Sequence, residues 1–212
     1  MADFGWKESQ AAAQGVLRNG AESAAADATS IASESEATAV GASSSNVIWA
    51  ADFMADALYG GRWFRTSNVI DEGNRQALGI EVATSIPSAR VIPVLEQLIE
   101  MHGKPAALRV DNGAEFTAHA FTEWCEEQKI ELFYIEPGKP DQSAFVERFN
   151  RTYREEVLNA YLFDSLEQVR EITELWIPEY NEERPHDSLG CVPPLTFRPR
   201  QSIEESTSAL CA

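Results

Sequence analysis

No apolar run in this sequence of 212 residues approaches the roughly 18–20 residues that a membrane span requires. The first residues also lack the basic-then-apolar order of a secretory signal. Both absences point to a cytoplasmic chain with no membrane partner. Cysteine is scarce as well. Cys125, Cys191 and Cys211 lie far apart and form no C-x-x-C pair, and His102, His119 and His186 are equally scattered. A structural zinc site therefore has no local spacing behind it, and isolated reduced thiols are expected. Basic residues are the third shortage, with 17 Lys and Arg against 34 Asp and Glu and a formal net charge of −17. Proteins that hold DNA by themselves carry a basic footprint, because phosphate neutralisation dominates affinity. Any intrinsic affinity for DNA should therefore be weak.

What is present divides the chain. Residues 1–45 are crowded with Ala and Ser, short of large apolar residues, and carry Asp3, Glu8, Glu22, Asp27, Glu34 and Glu36 against only Lys7 and Arg18. Such a segment cannot bury enough apolar surface to offset chain entropy, so a low-complexity, disordered leader is expected. From Val47 the pattern changes to strands and amphipathic helices, enough for one core domain over residues 46–182. Strands are expected at Val47 to Met54, Arg62 to Ile70, Gln76 to Thr84, Ala107 to Val110 and Leu132 to Ile135. Helices are expected from a Ser88 cap to His102, from Thr117 to Gln128, from Gln142 to Ala160 and from Leu166 to Tyr180. The order β-β-β-α-β-α-β-α-α predicts an α/β fold, a mixed sheet with helices on its faces. Residues 183–212, with Pro193 and Pro194, are expected to form an extended tail.

Three acidic residues stand out within this frame. Asp52 sits midway along an apolar strand, where an unpaired carboxylate would cost several kcal/mol if fully buried. It needs a partner, a proton or a cation. Asp111 ends a second strand beside Asn112-Gly113, a turn that lets a ligand approach the backbone. Glu147 lies on a helix among Phe145, Val146 and Phe149. Carboxylates converging from separate elements are what Mg²⁺ requires, and a pair of such ions can serve both oxygens of an in-line phosphoryl transfer. Taken singly, each residue has a plainer reading as a turn former or a solvated face.

The local sequences add a resemblance. Trp49-Ala-Ala-Asp-Phe-Met-Ala-Asp56, Phe64-Arg-Thr-Ser-Asn-Val-Ile-Asp71 and Arg109-Val-Asp-Asn-Gly-Ala-Glu-Phe116 carry it. So do Gly138-Lys-Pro-Asp-Gln-Ser-Ala-Phe-Val-Glu-Arg-Phe-Asn150 and Tyr180-Asn-Glu-Glu-Arg-Pro-His186. From about residue 47 to about 198 the chain resembles the retroviral-integrase-type catalytic core of bacterial insertion-sequence transposases, the type encoded in a second reading frame. The resemblance implies an RNase-H-like five-stranded sheet and a DDE triad falling on Asp52, Asp111 and Glu147, which would bind two Mg²⁺ or Mn²⁺ ions. It further implies cleavage of a phosphodiester at an element's end, followed by attack of the freed 3′-hydroxyl on target DNA. A hydrolysis-only nuclease of the same fold and an inactive or domesticated interaction protein are the alternatives.

Basic residues gather around Glu147 despite the negative total. Lys139, Arg148, Arg151 and Arg154 are candidate contacts to DNA phosphates, with pairing of Arg151 to Glu155 on a solvated helix as the plainer reading. Arg184 and His186 read as structural or docking residues. The family usually has an amide four residues before the glutamate; Ser143 stands there, shorter but polar, and joins the DNA-contact candidates. In related proteins the segment before the first strand tends to be basic, and the leader here has the composition of an out-of-frame translation. Nothing reads as a helix-turn-helix, so a separate helix-turn-helix DNA-binding protein is the expected partner, along with other copies of the chain assembled on DNA.

Overall fold

Five strands form one mixed sheet in the computed structural model, which describes residues 45–136, 138 and 142–198. Nearly all of the expected leader, the end of the tail beyond residue 198, and Lys139 lie outside the described residues. The strands are β1 (Ile48–Ala57), β2 (Trp63–Asp71), β3 (Ala77–Ala83), β4 (Ala107–Val110) and β5 (Glu131–Tyr134). Their order across the sheet is β3-β2-β1-β4-β5. The first three form an antiparallel meander, and β4 and β5 run parallel to β1. The helices are α1 (Ser88–His102), the single turn α2 (Ala114–Thr117), α3 (His119–Gln128), α4 (Ala144–Tyr153) and α5 (Leu166–Glu182). No helix among the described residues is long and apolar enough to cross a membrane.

The central strand shows why the sheet is covered on both faces. Ile48, Trp49, Ala50 and Ala51 are all buried, as expected of a strand sandwiched between layers. Side chains alternate along a strand, so β1 feeds two cores. Ala50 and Met54 join Val146, Phe149, Tyr153, Val169 and Trp176 from α4 and α5. Trp49 and Ala51 join Leu95 and Leu98 of α1 and Phe121 and Trp124 of α3. The α1 layer approaches β3 so closely that a Cβ on Gly79 would lie 2.8 Å from a Leu98 methyl.

Several local expectations are corrected. Ser88 does not cap α1; Pro87 occupies that position without a side-chain cap. The expected helix from Thr117 is broken at Ala118, whose extended backbone separates α2 from α3. After Tyr153 the helix does not continue as α but widens into one π-helical stretch, Arg154–Leu158. α5 runs past Tyr180 to Glu182 with Pro178 inside it. It starts at a true cap, Ser165 Oγ accepting from Gln168 N at 3.3 Å. It is fastened to β3 at its far end, where buried Asn181 accepts from Ala77 N (2.8 Å) and donates to Ala77 O (2.9 Å). The tail is less extended than expected. Its described part makes two 3₁₀ turns, Asp187–Leu189 and Pro194–Thr196, and a bridge between His186 and Val192. Burial of Leu189 explains why it folds back.

Candidate active site

Strand register brings two of the expected carboxylates level. β1 pairs with β4 in parallel, with Ala51 opposite Val110, so the next step along both strands is Asp52 beside Asp111. Ala51 and Val110 both point into the α1/α3 core. The alternation therefore turns Asp52 and Asp111 to the other face, the one covered by α4 with Glu147.

Asp52 is half-buried and Glu147 exposed. Burial, followed by the like charges of Asp111 and Glu147, raises the Asp52 carboxyl from an ordinary value of 3.8 to about 6, against opposing hydrogen bonds from Phe53 N–H and Asn150. The three carboxylates thus share one electrostatic field. They are not drawn into a ready-made ligand cluster: among the described residues, no three His, Cys, Asp or Glu side chains form one. The two observations are compatible, because Coulomb coupling reaches well beyond the ~2 Å metal–oxygen contact. The donor set is all oxygen, which suits a hard divalent cation.

Each carboxylate is oriented by a neighbour. Asp111 Oδ1 accepts from Gly113 N at 2.8 Å. Gly113 has φ −62°, so the need for glycine here is a matter of space rather than of backbone angle. A Cβ there would lie 2.8 Å from that same Asp111 oxygen. Asn112 donates to Ile135 O at 2.9 Å, fastening the end of β4 to the end of β5. Glu147 Oε1 accepts a hydrogen bond from Ser143 Oγ one turn earlier.

Asn150 is the residue that sequence reasoning missed. Its Nδ2 donates to Asp52 Oδ2 at 2.7 Å, and its Oδ1 accepts from Asn68 Nδ2 at 2.6 Å. Asn68 stands opposite Asp52 on β2, is fully buried, and also donates to Met54 Sδ at 3.1 Å. An ionised carboxylate only accepts, so Asp52 fixes which way the Asn150 amide faces, and Asn150 fixes Asn68. The only available signal was its position three residues after Glu147, on the same side of α4.

A buried ion pair braces the strand carrying Asp111. Arg109 Nε donates to Glu72 Oε1 at 3.0 Å, with side chains only 4% and 5% exposed. Beyond Asp111, Glu115 pairs with Arg65, whose guanidinium lies 4.5 Å above the Phe53 ring, and Phe53 stacks on Phe116 at 4.9 Å.

The candidate phosphate contacts fare differently. Arg154 is engaged with β1, Nη1 to Asp56 Oδ2 at 3.2 Å and Nη2 to Ala55 O at 3.1 Å. Arg151 is exposed, and its suggested pairing with Glu155 does not form. Arg148 turns toward a cavity shared with Arg75 and His186. Arg184 pairs with Glu156, and His186 packs edge-on against Tyr180 at 4.9 Å.

Two models of the integrase core domain match overlapping stretches of the chain, residues 42–140 and 128–194. A 39.2 kDa protein of insertion element IS476 from Xanthomonas euvesicatoria is 39% identical over 165 residues, 78% of this chain and 48% of that protein. A 31.7 kDa protein of insertion element IS407 from Burkholderia multivorans is 36% identical over 152 residues, 72% of this chain and 55% of that one. The chain thus spans about half the length of these curated relatives. Among solved structures, the integrase catalytic core domain of HTLV-2 in complex with magnesium matches 72% of this chain and 96% of its own at 20% identity, with a TM-score of 0.57. A chain in the structure of the simian T-cell lymphotropic virus intasome in complex with PP2A regulatory subunit B56 gamma matches 74% of this chain and 56% of its own at 18% identity, with a TM-score of 0.60. The mixed sheet with flanking helices is therefore the RNase-H-like fold of integrase catalytic cores, and the chain belongs to the integrase core domain family, alongside proteins of bacterial insertion elements.

Proposed function

We propose that residues 46–182 form the catalytic core of a DNA transposase, cutting the ends of a mobile element and joining them to target DNA. One observation carries this reading. Asp52, on a strand, lies within the electrostatic reach of Asp111 at a strand end and Glu147 on a helix, and burial together with these two like charges raises its carboxyl to about 6. A carboxyl destabilised by burial and like charges is one whose ionisation a cation would restore.

Asp52 and Asp111, level on adjacent strands, and Glu147 from α4 would hold divalent ions, Mg²⁺ or Mn²⁺. When bound, these ions supply neutralisation of the developing charge and activation of the attacking oxygen. The chain's own residues supply position. Gly113 N–H, Ser143 Oγ and Asn150 Nδ2 each hold one carboxylate oxygen, leaving the others to face the substrate. In the joining step the element's 3′-oxygen forms a bond to a target phosphorus in line with the leaving 3′-oxygen, with no covalent enzyme intermediate.

Arg151, exposed on α4, Ser143, one turn before Glu147, and Lys139 are the proposed contacts of this core to DNA. The negative total charge supports recognition of the element's ends by a separate helix-turn-helix partner, with several copies of the core assembled on paired ends. The test is strand transfer from an oligonucleotide with a pre-cleaved 3′-end into target DNA, with Mg²⁺ or Mn²⁺. Products that vanish in Asp52→Asn, Asp111→Asn and Glu147→Gln support the reading. Hydrolysis without joined product indicates a nuclease instead.

A further inference from the structure

The turn between β2 and β3, the start of α4, the end of α5 and the returning tail enclose a cavity of about 120 Å³. Its lining includes Arg75, Phe145, Arg148, Tyr180, His186 and Ser188. Three polar atoms of these side chains, Arg75 Nε, Arg75 Nη1 and His186 Nε2, are buried with no hydrogen-bond partner among the described residues. Buried donors are rarely left so, and each one needs an explanation.

The acids closest to Arg75 do not supply the missing acceptors. Asp71 already accepts from Gly73 N at 2.8 Å and from Asn46 N. Glu72 is held by Arg109 at 3.0 Å. The Arg75 guanidinium instead lies over the Phe145 ring, 3.4 Å from its centroid. Stacking fixes the guanidinium plane and leaves its edge for a ligand. Burial, and after it the charges of Arg184, Arg75 and Arg148, lower the His186 pKa against the opposing charge of Asp187. Two cationic side chains, Arg75 and Arg148, thus line the cavity, with the charges of Glu72 and Asp71 also acting on Arg75.

We infer that this cavity is a binding site for a single phosphate group, gripped by the Arg75 edge, Arg148 and the His186 Nε2–H. Two parallel N–H donors fit any oxyanion, whereas donors converging from a turn, a helix and the tail suit a tetrahedral one with oxygens in several directions. The space equals a few water volumes at about 30 Å³ each, enough for one phosphate. Arg148 directly follows Glu147 on α4. The phosphate can therefore come from a DNA strand running past the carboxylates, a source that rests on the proposed function, or from free phosphate in solution.

The experiment follows the ring resonances of His186 in the full chain, which has three histidines, during titration with inorganic phosphate and, separately, with a short single-stranded oligonucleotide. Phosphate should shift His186 saturably and raise its pKa, and Arg148→Gln should weaken the effect at least tenfold. Arg75→Gln should do the same if it folds; Arg148, exposed on α4, keeps the test valid if it does not. An oligonucleotide that moves the same resonances and competes with phosphate identifies DNA as the source. A phosphate-only response identifies free phosphate. No saturable shift, or equal affinity in Arg148→Gln, overturns the site. Loss of strand transfer in the unsubstituted chain with phosphate binding intact would overturn only the transposase reading.

Discussion

Replacing Asp52 with asparagine should stabilise the metal-free protein while removing its activity. The Asp52 carboxyl is raised from 3.8 to about 6, so above pH 6 the native state must hold a charge that the unfolded chain carries in water. At about 1.4 kcal/mol per unit, the full shift corresponds to roughly 3 kcal/mol. Asp52 is only half-buried, and solvent screening reduces this to about 1–2 kcal/mol. Asn150 Nδ2 can still donate to the new amide oxygen, so little is lost in exchange. The sign is fixed by the direction of the shift. Below pH 4 the carboxyl is protonated in both states and the substitution should be neutral; the gain should appear between pH 4 and 6 and persist above. Thermal unfolding with chelator should show Asp52→Asn melting about 2–6 °C above the parent chain at pH 8, and at the same temperature at pH 3.5. Added Mg²⁺ should raise the parent's melting temperature more than the variant's. A variant that melts lower than the parent at pH 8 would refute the reasoning that like-charge repulsion and burial strain this residue.

Three further substitutions have defined outcomes. Gly113→Ala places a Cβ 2.8 Å from Asp111 Oδ1; it should cost about 1–3 kcal/mol and reduce strand transfer at least tenfold, as measured by urea unfolding and product yield. Asn150→Ala removes the link between Asp52 and Asn68 and should destabilise by about 1–3 kcal/mol, with a further rise of the Asp52 pKa visible in carboxyl NMR. Glu72→Gln leaves the Arg109 guanidinium buried without its counter-charge and should cost about 3–5 kcal/mol in chemical unfolding, whereas a surface pair such as Arg90–Glu81 should cost under about 1 kcal/mol.

The sheet was legible because its signals are local. Apolar runs bounded by Gly60-Gly61, Asp71 to Arg75 and Gly103 gave five strands within a few residues of their observed ends. The three carboxylates were legible from their neighbours in sequence. What held them in place was not. Asn150 reads as a solvated helix residue until β1 is folded against α4, 98 residues away in sequence from Asp52. Gly113 suggested a turn conformation, but its necessity is steric and depends on where the Asp111 carboxyl points. Arg154 looked free because Asp56, its partner, belongs to another element. The same blindness applied to Arg75, an ordinary turn residue in sequence whose stacking on Phe145 crosses 70 positions. Helix interruption at Ala118 and the π-helical stretch after Tyr153 also had no propensity signal.

The central claim is that Asp52, Asp111 and Glu147 act together on DNA phosphodiesters with divalent metal. The direct measurement is joining of a pre-cleaved 3′-end to target DNA by the purified chain and its Asp111→Asn variant, with Mg²⁺ or Mn²⁺ varied. Metal-dependent joined product is expected from the parent chain and at least a hundredfold less from the variant, about the scale of losing one essential charge-stabilising group. Equal product from both, or product formed in chelator, would contradict that claim.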